Sequence, residues 1–385
     1  MRSESKSAGA TTERRNKMFK NMKLSAKLIS SFVIVAVITL AVGLVGWRNV
    51  NSLSHHLVEV GEVRLPSIES LLVIEKEAEA IRVAQRTLLN PDLSPEDHAR
   101  QFENIKHSRE HYEAAWRKYE PLPQTPEEAV LWSKFVPAWD AWRQENNAFF
   151  KLIHELEAMD LGNPAALNAT LEMVRGDHYK VMVDVEEMIT SDDHFEGGED
   201  HHACRFGQWA ASFESQNPTI AAAVAKMADP HKQFHQAVKD IKAAVESGDR
   251  DSAHTIFSKR LQPAAQGVFA GLEILRGEAA QAVTLFETAG RYAMVTARAK
   301  QVAAMDLLDQ IVKINENVAR AEGEAAEIET RSAKTMSVFG MLAGFLAALG
   351  FGIFLSRSIN RTLTRITDGL TTGSEQVASA SEQVS

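Results

Sequence analysis

Apolar residues recur at threes and fours along most of the chain, and alternating β-branched runs are nearly absent. This periodicity is typical of amphipathic helices and not of strands. Glycine is absent from residue 62 to residue 160, and the segments that open with Ser94-Pro95 and Thr125-Pro126 each place a capping residue before proline. We predict an all-α protein with long helices at about 48–90, 95–120 and 126–158, shorter helices within 165–247, and one long helix from about 263 onward.

Two stretches contain no charged residue: Leu28 to Trp47, which has twenty residues, and Thr335 to Ser356, which has twenty-two. At 1.5 Å per residue, each is long enough to cross a bilayer as a helix. A cleaved signal peptide is the alternative for the first stretch. Its apolar part is too long for an ordinary signal sequence, however, and no A-x-A-like cleavage site follows. We therefore predict two transmembrane helices, at 28–47 and 335–356.

Charge sets the expected topology. Residues 1–27 hold eight Lys and Arg against two Glu, and three arginines follow the second span. Because basic flanks stay in the cytoplasm, 1–27 is predicted to be a cytoplasmic tail, 48–334 to lie outside, and 357–385 to begin a cytoplasmic signalling coiled coil. The chain would be a multi-pass protein of the bacterial inner membrane. Its net charge of −9 argues against binding of nucleic acid.

Three long helices and one returning helix would form an antiparallel four-helix bundle, with 48–164 and 248–334 as its two parts. Four tryptophans at helical spacing are expected in its core and not in a ligand cage: Trp116, Trp132, Trp139 and Trp142. Seven residues with 4-3 spacing in the last helix predict a coiled-coil seam: Leu307, Ile311, Ile314, Val318, Ala321, Ala325 and Ile328.

The second apolar span places a small residue at every fourth position: Gly340, Gly344, Ala348 and Gly352. Small side chains on one face let another helix approach closely, which would suit a homodimer. The alternative is that glycine and alanine are common in membrane helices whatever they contact.

Histidine is concentrated in one segment, since six of the thirteen histidines lie between positions 178 and 235 together with the single cysteine. A lone cysteine cannot form an intramolecular disulfide. His231 and His235 are four apart on a predicted helix, so both imidazoles share a face. With His178 and Cys204 they make a complete tetrahedral set of the nitrogen and sulfur ligands that Zn²⁺ prefers. The alternative is a set of histidines in polar loops beside a buried cysteine.

These residues resemble the chemoreceptor zinc-binding domain family. Its pattern is a histidine, then C-x-φ-G-x-φ with an apolar residue at φ, then H-x-x-x-H. This sequence has His178, the segment from Cys204 to Trp209, and His231 with His235. The resemblance implies a small helical zinc-binding module at 165–247, inserted before the returning helix. Lys180 stands where the family has an apolar residue, and His201 is an alternative to His178 as the fourth ligand.

Three further segments resemble the four-helix-bundle sensor domain of methyl-accepting chemotaxis proteins: residues 64–70, 88–91 and 116–123. Residues 375–385 resemble the opening of a chemoreceptor cytoplasmic hairpin, and 357–361 the start of a HAMP linker, with Thr362 in place of the usual proline. The resemblance implies a chemotaxis histidine kinase and its coupling adaptor as partners. We expect the chain to be the N-terminal part of such a receptor.

The leading hypothesis is a receptor that responds to zinc, or to an oxidant acting on a zinc-bound Cys204 thiolate that the neighbouring Arg205 favours. Zinc as a purely structural element is the competing interpretation. The same sensor could instead feed a histidine kinase or a diguanylate cyclase. A zinc hydrolase is the alternative from another class, but four protein ligands leave no open position and no H-E-x-x-H occurs, so an enzyme is not expected.

Overall fold

The structure is a computed structural model that describes residues 23–191 and 193–382. Within these residues it contains helices and no strands, which confirms the all-α prediction. Most of the predicted tail, residues 1–22, lies outside the described residues. The α-helices are α1 Leu24–Val58, α2 Leu65–Leu88, α3 Pro95–Tyr119, α4 Pro126–Met159, α5 Pro164–Ser191, α6 Arg205–Ser212, α7 Pro218–Glu246, α8 Arg250–Ile256, α9 Gln262–Arg291 and α10 Ala297–Glu382. Three π-helical segments join consecutive helices: π1 Glu59–Arg64, π2 Phe257–Leu261 and π3 Tyr292–Thr296.

Local capping explains where the helices begin. The hydroxyl of Ser94 accepts a hydrogen bond from the backbone N–H of Asp97 at 3.1 Å, which starts α3. Thr125 and Glu128 form a reciprocal capping box at α4. Helix α9 begins at Gln262, close to the predicted start at about 263. It is preceded by the short helix α8, which begins at Arg250 behind an Asp249 cap, and by π2. Proline lacks an N–H, and Pro263 lies in the first turn of α9, where that loss is tolerated.

The helical bundle has one continuous core, to which α2, α3, α4 and the beginning of α10 contribute. Trp132, Trp139 and Trp142 are buried and Trp116 is half-buried against them, so the prediction of core tryptophans is confirmed. Inside this apolar core, the hydroxyl of Tyr119 donates to the buried Glu128 carboxylate at 2.6 Å. Buried polar groups are thereby paired, which fixes the register of α3 on α4.

Two further core clusters, both in contact with Phe269, join α5, α7 and α9. Helix α9 passes very close to α7, because glycines on α9 face large side chains on α7. A Cβ atom at Gly271 would lie 2.1 Å from Cγ of the buried Met227, and one at Gly267 would lie 2.8 Å from Cβ of Pro230. The first part of the returning helix therefore forms a wall of the same helical module.

Two helices of the described chain are long and apolar enough to cross a membrane: Ser25–Leu88 and Arg250–Ser381. Their apolar windows are 6% and 0% buried, unlike the core helices of a soluble protein. The first two small residues of the second span, Gly340 and Gly344, lie against the first span of the same chain, whereas a Cβ atom at Gly352 would meet nothing within 4 Å. A Cβ atom at Gly340 would be 2.8 Å from Cγ2 of Val42, and Gly344 faces Ile38.

The predicted coiled-coil seam of α10 is confirmed at Ile311. Elsewhere the buried positions lie one residue later, at Leu308 for Leu307 and at Asn315 for Ile314. Leu308, Ile311 and Asn315 are buried, whereas Ile328 is 70% exposed. Polar residues occupy buried positions of α10 because their hydrogen-bonding and charged partners lie on the chain before residue 67. The buried Arg64 guanidinium, for instance, donates to Oδ1 of Asn315 at 3.0 Å.

Candidate metal centre

Three separate segments bring the four predicted ligands together. His178 comes from α5, Cys204 is the N-cap residue of α6, and His231 and His235 lie one turn apart on α7. One ring nitrogen from each histidine and the cysteine sulfur all lie within 4.8 Å of one another. The histidines are buried and the cysteine is half-buried.

The backbone around Cys204 is shaped to hold the sulfur in place. Its Sγ accepts the backbone N–H of Gly207 at 3.3 Å, which caps α6. A Cβ atom at position 207 would lie 1.9 Å from the carbonyl oxygen of His201, so only glycine fits there. Phe206 is buried and its ring contacts those of His178 and His231. The C-x-φ-G spacing thus sets both the cap and the apolar wall of the site.

Backbone carbonyl groups orient two of the imidazoles. Nδ1 of His178 lies 2.8 Å from the carbonyl oxygen of Val174, and Nδ1 of His235 lies 2.7 Å from that of Gly198. A carbonyl oxygen can only accept, so Nδ1 carries the hydrogen in both rings. Nε2 is then left with a free lone pair, as a metal ligand requires.

The ring nitrogens and the sulfur at the centre of the site are close enough together to bind one cation. Nε2 of His231 is 3.0 Å from Sγ of Cys204 and 3.0 Å from Nε2 of His235. Nε2 of His178 is buried and makes no hydrogen bond. An unpaired buried nitrogen is costly unless something binds it. Three buried imidazole nitrogens and one sulfur on a common centre are the donor set of a closed zinc site.

Burial keeps the imidazoles neutral. It lowers the pKa of His231 to about 3 and that of His235 to about 4, with neighbouring histidines adding to the effect on His231. Burial also lowers the pKa of His178. All three rings are therefore unprotonated at neutral pH, the form in which imidazole binds metals.

The ionisation of the Cys204 thiol differs from the expectation based on the sequence. Burial raises the pKa of the Cys204 thiol, and the carboxylates of Asp177 and Asp200 raise it further. Arg205 does not favour the thiolate as expected, because its Nε donates to Asp177 at 3.0 Å. Without a bound cation, the sulfur is thus a protonated thiol at neutral pH.

The alternative ligand and the departure from the family pattern both lie at the edge of the site. His201 is half-buried with its ring centre 6.1 Å from that of His231, and it is not among the converging ligand atoms. Lys180 is exposed and pairs with Asp184, so it does not enter the site. The aromatic ring one position earlier, Tyr179, stacks on Phe269 of α9 at 4.3 Å.

Residues that the sequence pattern did not single out hold the loop before Cys204. Nζ of Lys242 donates to the carbonyl oxygens of Phe195 and Gly197 and to the Glu199 carboxylate, at 2.5 to 2.9 Å. Gly198, whose carbonyl orients His235, has a φ of +91° that favours glycine. In the sequence, the Gly197-Gly198 pair indicates a tight turn in this loop, but nothing there indicates the role of Lys242.

Comparison with known families agrees with this geometry. Residues 21–193 match the four helix bundle sensory module for signal transduction, which defines the bundle as part of a sensory protein. Residues 178–242 match the chemoreceptor zinc-binding domain, and all four converging side chains lie within that match. The chain therefore combines a sensor of the methyl-accepting chemoreceptor type with a zinc-binding domain, and both families are sensory, not enzymatic. No curated protein and no solved structure matches the chain.

Proposed function

We propose that His178, Cys204, His231 and His235 bind one zinc ion in the sensor domain of a membrane chemoreceptor. The observation that carries this proposal is the buried, unpaired Nε2 of His178 among the four converging ligand atoms. Bound zinc would supply positive charge that keeps Cys204 as a thiolate. Because all four positions of a tetrahedral site would come from protein, we propose no enzymatic step.

Metal analysis of the full chain, purified with zinc present, tests the site. We expect about one zinc per chain, as a single closed four-ligand site requires. His178→Ala should lose most of the metal, whereas the matched control His202→Ala, an exposed histidine of the same region, should retain it. A wild-type protein without zinc would refute the site, and equal losses in both variants would refute this choice of ligands.

The signal is proposed to pass through α9. Zinc bound to the four ligands would hold α5, α6 and α7 relative to one another, and both α5 and α7 pack on α9. Along the chain, α9 is followed without interruption by π3 and α10, which includes the second predicted span. A change at the four ligands would therefore alter the packing of the helix that leads to the membrane.

The stimulus is proposed to be zinc itself or an oxidant that attacks Cys204. With peroxide, the thiolate sulfur would form a bond to one oxygen, the O–O bond would break, and hydroxide would leave. The product is a sulfenic acid, which is a poorer ligand than a thiolate, so the three ligand segments would be released from one another.

Stepwise oxidation of the zinc-loaded protein separates a redox sensor from a structural zinc site. The exposed Met173 and Met294, with 47% and 49% of their surface accessible, serve as internal references. If Cys204 senses oxidants, sulfenic acid and zinc release should precede methionine sulfoxide at both references. If both methionines are oxidised while zinc stays bound, zinc has only a structural role.

For topology, we propose that residues 48–334 lie outside the bacterial inner membrane and that both ends of the chain are cytoplasmic. The basic residues of the N-terminal tail support this orientation. A membrane-impermeant thiol reagent added to whole cells should label Ser247→Cys and not Ser5→Cys, each compared with the unmodified chain. External labelling of Ser5→Cys would overturn the proposed orientation.

For output, we propose that a homodimer signals to a chemotaxis histidine kinase and its coupling adaptor. The match to a sensory module of the chemoreceptor type supports this choice over a fused histidine kinase or diguanylate cyclase. Membranes that contain the receptor, the kinase and the adaptor should show kinase activity that changes when zinc is removed. Kinase activity that does not respond, in membranes where the receptor is zinc-loaded, would argue for another output.

A further inference from the structure

The helix pair next to the predicted spans contains a histidine that lies between two carboxylates. His56 of α1 places Nδ1 2.5 Å from Oε2 of Glu322 and Nε2 3.6 Å from Oε2 of Glu329. Both glutamates are on α10. Only 14% of the His56 side chain is accessible to solvent. This cluster lies outside the zinc-binding segment and plays no part in the function proposed above.

The geometry specifies the protonation state of this histidine. Glu322 and Glu329 are seven residues apart, two helical turns along one face of α10. A neutral imidazole carries one N–H, so one of its nitrogens would direct a lone pair at a carboxylate. Nε2 of His56 and Oε2 of Glu329 are buried and have no hydrogen-bond partner, and their separation of 3.6 Å is that of an ion pair. Only the imidazolium form directs an N–H group at both carboxylates.

We propose that His56, Glu322 and Glu329 form a proton-binding site through which the receptor responds to the pH outside the membrane. With the proton bound, His56 links α1 to two turns of α10 through two charge-assisted contacts. When the proton leaves, one carboxylate loses its donor and faces a lone pair instead. The proton would thus control how tightly the membrane-proximal parts of α1 and α10 are held together.

The surrounding charges favour the protonated state. The hydrogen bond to Glu322 is the largest cause that raises the pKa of His56, and the Glu329 charge adds to it. A hydrogen bond from Ser52 lowers the pKa of Glu329, with His56 and Arg48 contributing, so that carboxylate stays ionised in mild acid. Glu322 and Glu329 are the charged groups that face His56 from α10, and Arg48 acts on Glu329 from α1.

The direction of the pH response follows from the raised pKa of His56. An unpaired histidine titrates near 6.5, so the bridge is fully formed below that value and is lost as the pH rises through the raised pKa. Acid therefore joins the two helices and alkali releases them. A sensor based on a histidine with a lowered pKa would respond in the opposite sense.

The pKa of His56 can be measured on the full chain in lipid nanodiscs from deuterium exchange at its imidazole C2 position, read by mass spectrometry. The exposed neighbour is removed as His55→Gln, so that one histidine remains in the peptide. We expect a pKa above 6.5, which falls toward 6.5 in Glu322→Gln and in Glu329→Gln. The control Glu324→Gln, an exposed residue of the same helix, should leave it unchanged. A value at or below 6.5, or one that none of the variants alters, overturns the proposal.

Backbone amide exchange in the same nanodiscs tests the consequence for the helices. Residues 50–60 and 320–330 should lose protection between pH 6 and pH 9, after correction for the intrinsic pH dependence of exchange. In His56→Gln, protection should be low at both pH values. If wild-type protection does not change with pH, the cluster is a static ion pair and not a pH-sensitive site.

Discussion

Zinc binding should release about one proton per ion at pH 7, and the proton should come from Cys204. The two coordinating histidines of α7 have pKa values of about 3 and about 4 before metal binds, and burial also lowers the pKa of His178. None of the three therefore holds a proton for zinc to displace. The thiol does, because burial raises its pKa above an ordinary value of 9.0.

The cost of removing this proton sets the pH dependence of affinity. Neutral pH is two units below 9.0, so deprotonating the thiol costs at least about 2.7 kcal/mol at pH 7. The cost falls by about 1.4 kcal/mol for each unit that the pH rises. Between pH 6 and pH 8, the zinc dissociation constant should therefore decrease about tenfold per pH unit. A site with protonated imidazoles would show a steeper dependence.

Calorimetric zinc titration of the full chain, in buffers of different protonation enthalpy, counts the released protons. Cys204→Ala is the control: it should bind zinc more weakly and release almost no proton. Release of three or four protons from the wild type would mean that the histidines are charged before binding. Release of none would mean that Cys204 is already a thiolate or is not a ligand.

Three further predictions concern the packing of the module and the protonation of its buried histidines. Gly198→Ala should destabilise the protein by about 1–3 kcal/mol in denaturant unfolding and weaken zinc binding, because position 198 has a positive φ. The control Gly176→Ala, in open helical surroundings, should have neither effect. Gly271→Ala should lower the free energy of unfolding by about 1–3 kcal/mol, because the new methyl group would clash with the buried Met227. Gly277→Ala on the same helix should stabilise the protein by up to about 1 kcal/mol. Equal effects of the two variants would contradict the close contact between α7 and α9. Finally, the metal-free protein should lose stability as the pH falls from 6.5 toward about 4, because unfolding lets the buried imidazoles take up protons; a thermal midpoint that is constant over this range would contradict their lowered pKa values.

The sequence was informative where side-chain type and spacing carry the physics. Capping residues before proline located the starts of α3 and α4, and ligand chemistry selected the four side chains that converge. The groups that orient these ligands could not be predicted in the same way. The carbonyl oxygens of Val174 and Gly198 are backbone atoms that every residue has, and only the fold brings them to the imidazoles. Lys242 looks like any surface lysine until the loop that it binds is in place.

The seam of α10 shows a second limit of pattern analysis. Counting apolar residues selected Ile328 as an inward position, but Ile328 is exposed and the next residue, Glu329, faces His56. Polar residues can occupy a helix interface when their partners are charged or hydrogen-bonding groups. Those partners are more than 250 residues away in sequence, as with Arg64 and Asn315. No periodicity along a single helix contains that information.

The two proposed sites act on one uninterrupted succession of helical segments, since the zinc ligands pack on α9 through α5 and α7 and His56 contacts α10. If each site works by displacing that succession, linkage requires that each changes the affinity of the other by the same factor, commonly about 5- to 150-fold. Zinc affinity itself depends on pH through Cys204. The informative quantity is therefore the ratio of the zinc dissociation constants of wild type and His56→Gln at each pH. That ratio should differ between pH 6 and pH 9, and chelation of zinc should shift the pKa of His56. A ratio that is the same at both pH values, together with an unshifted pKa, would show that the sites act on separate parts of the chain.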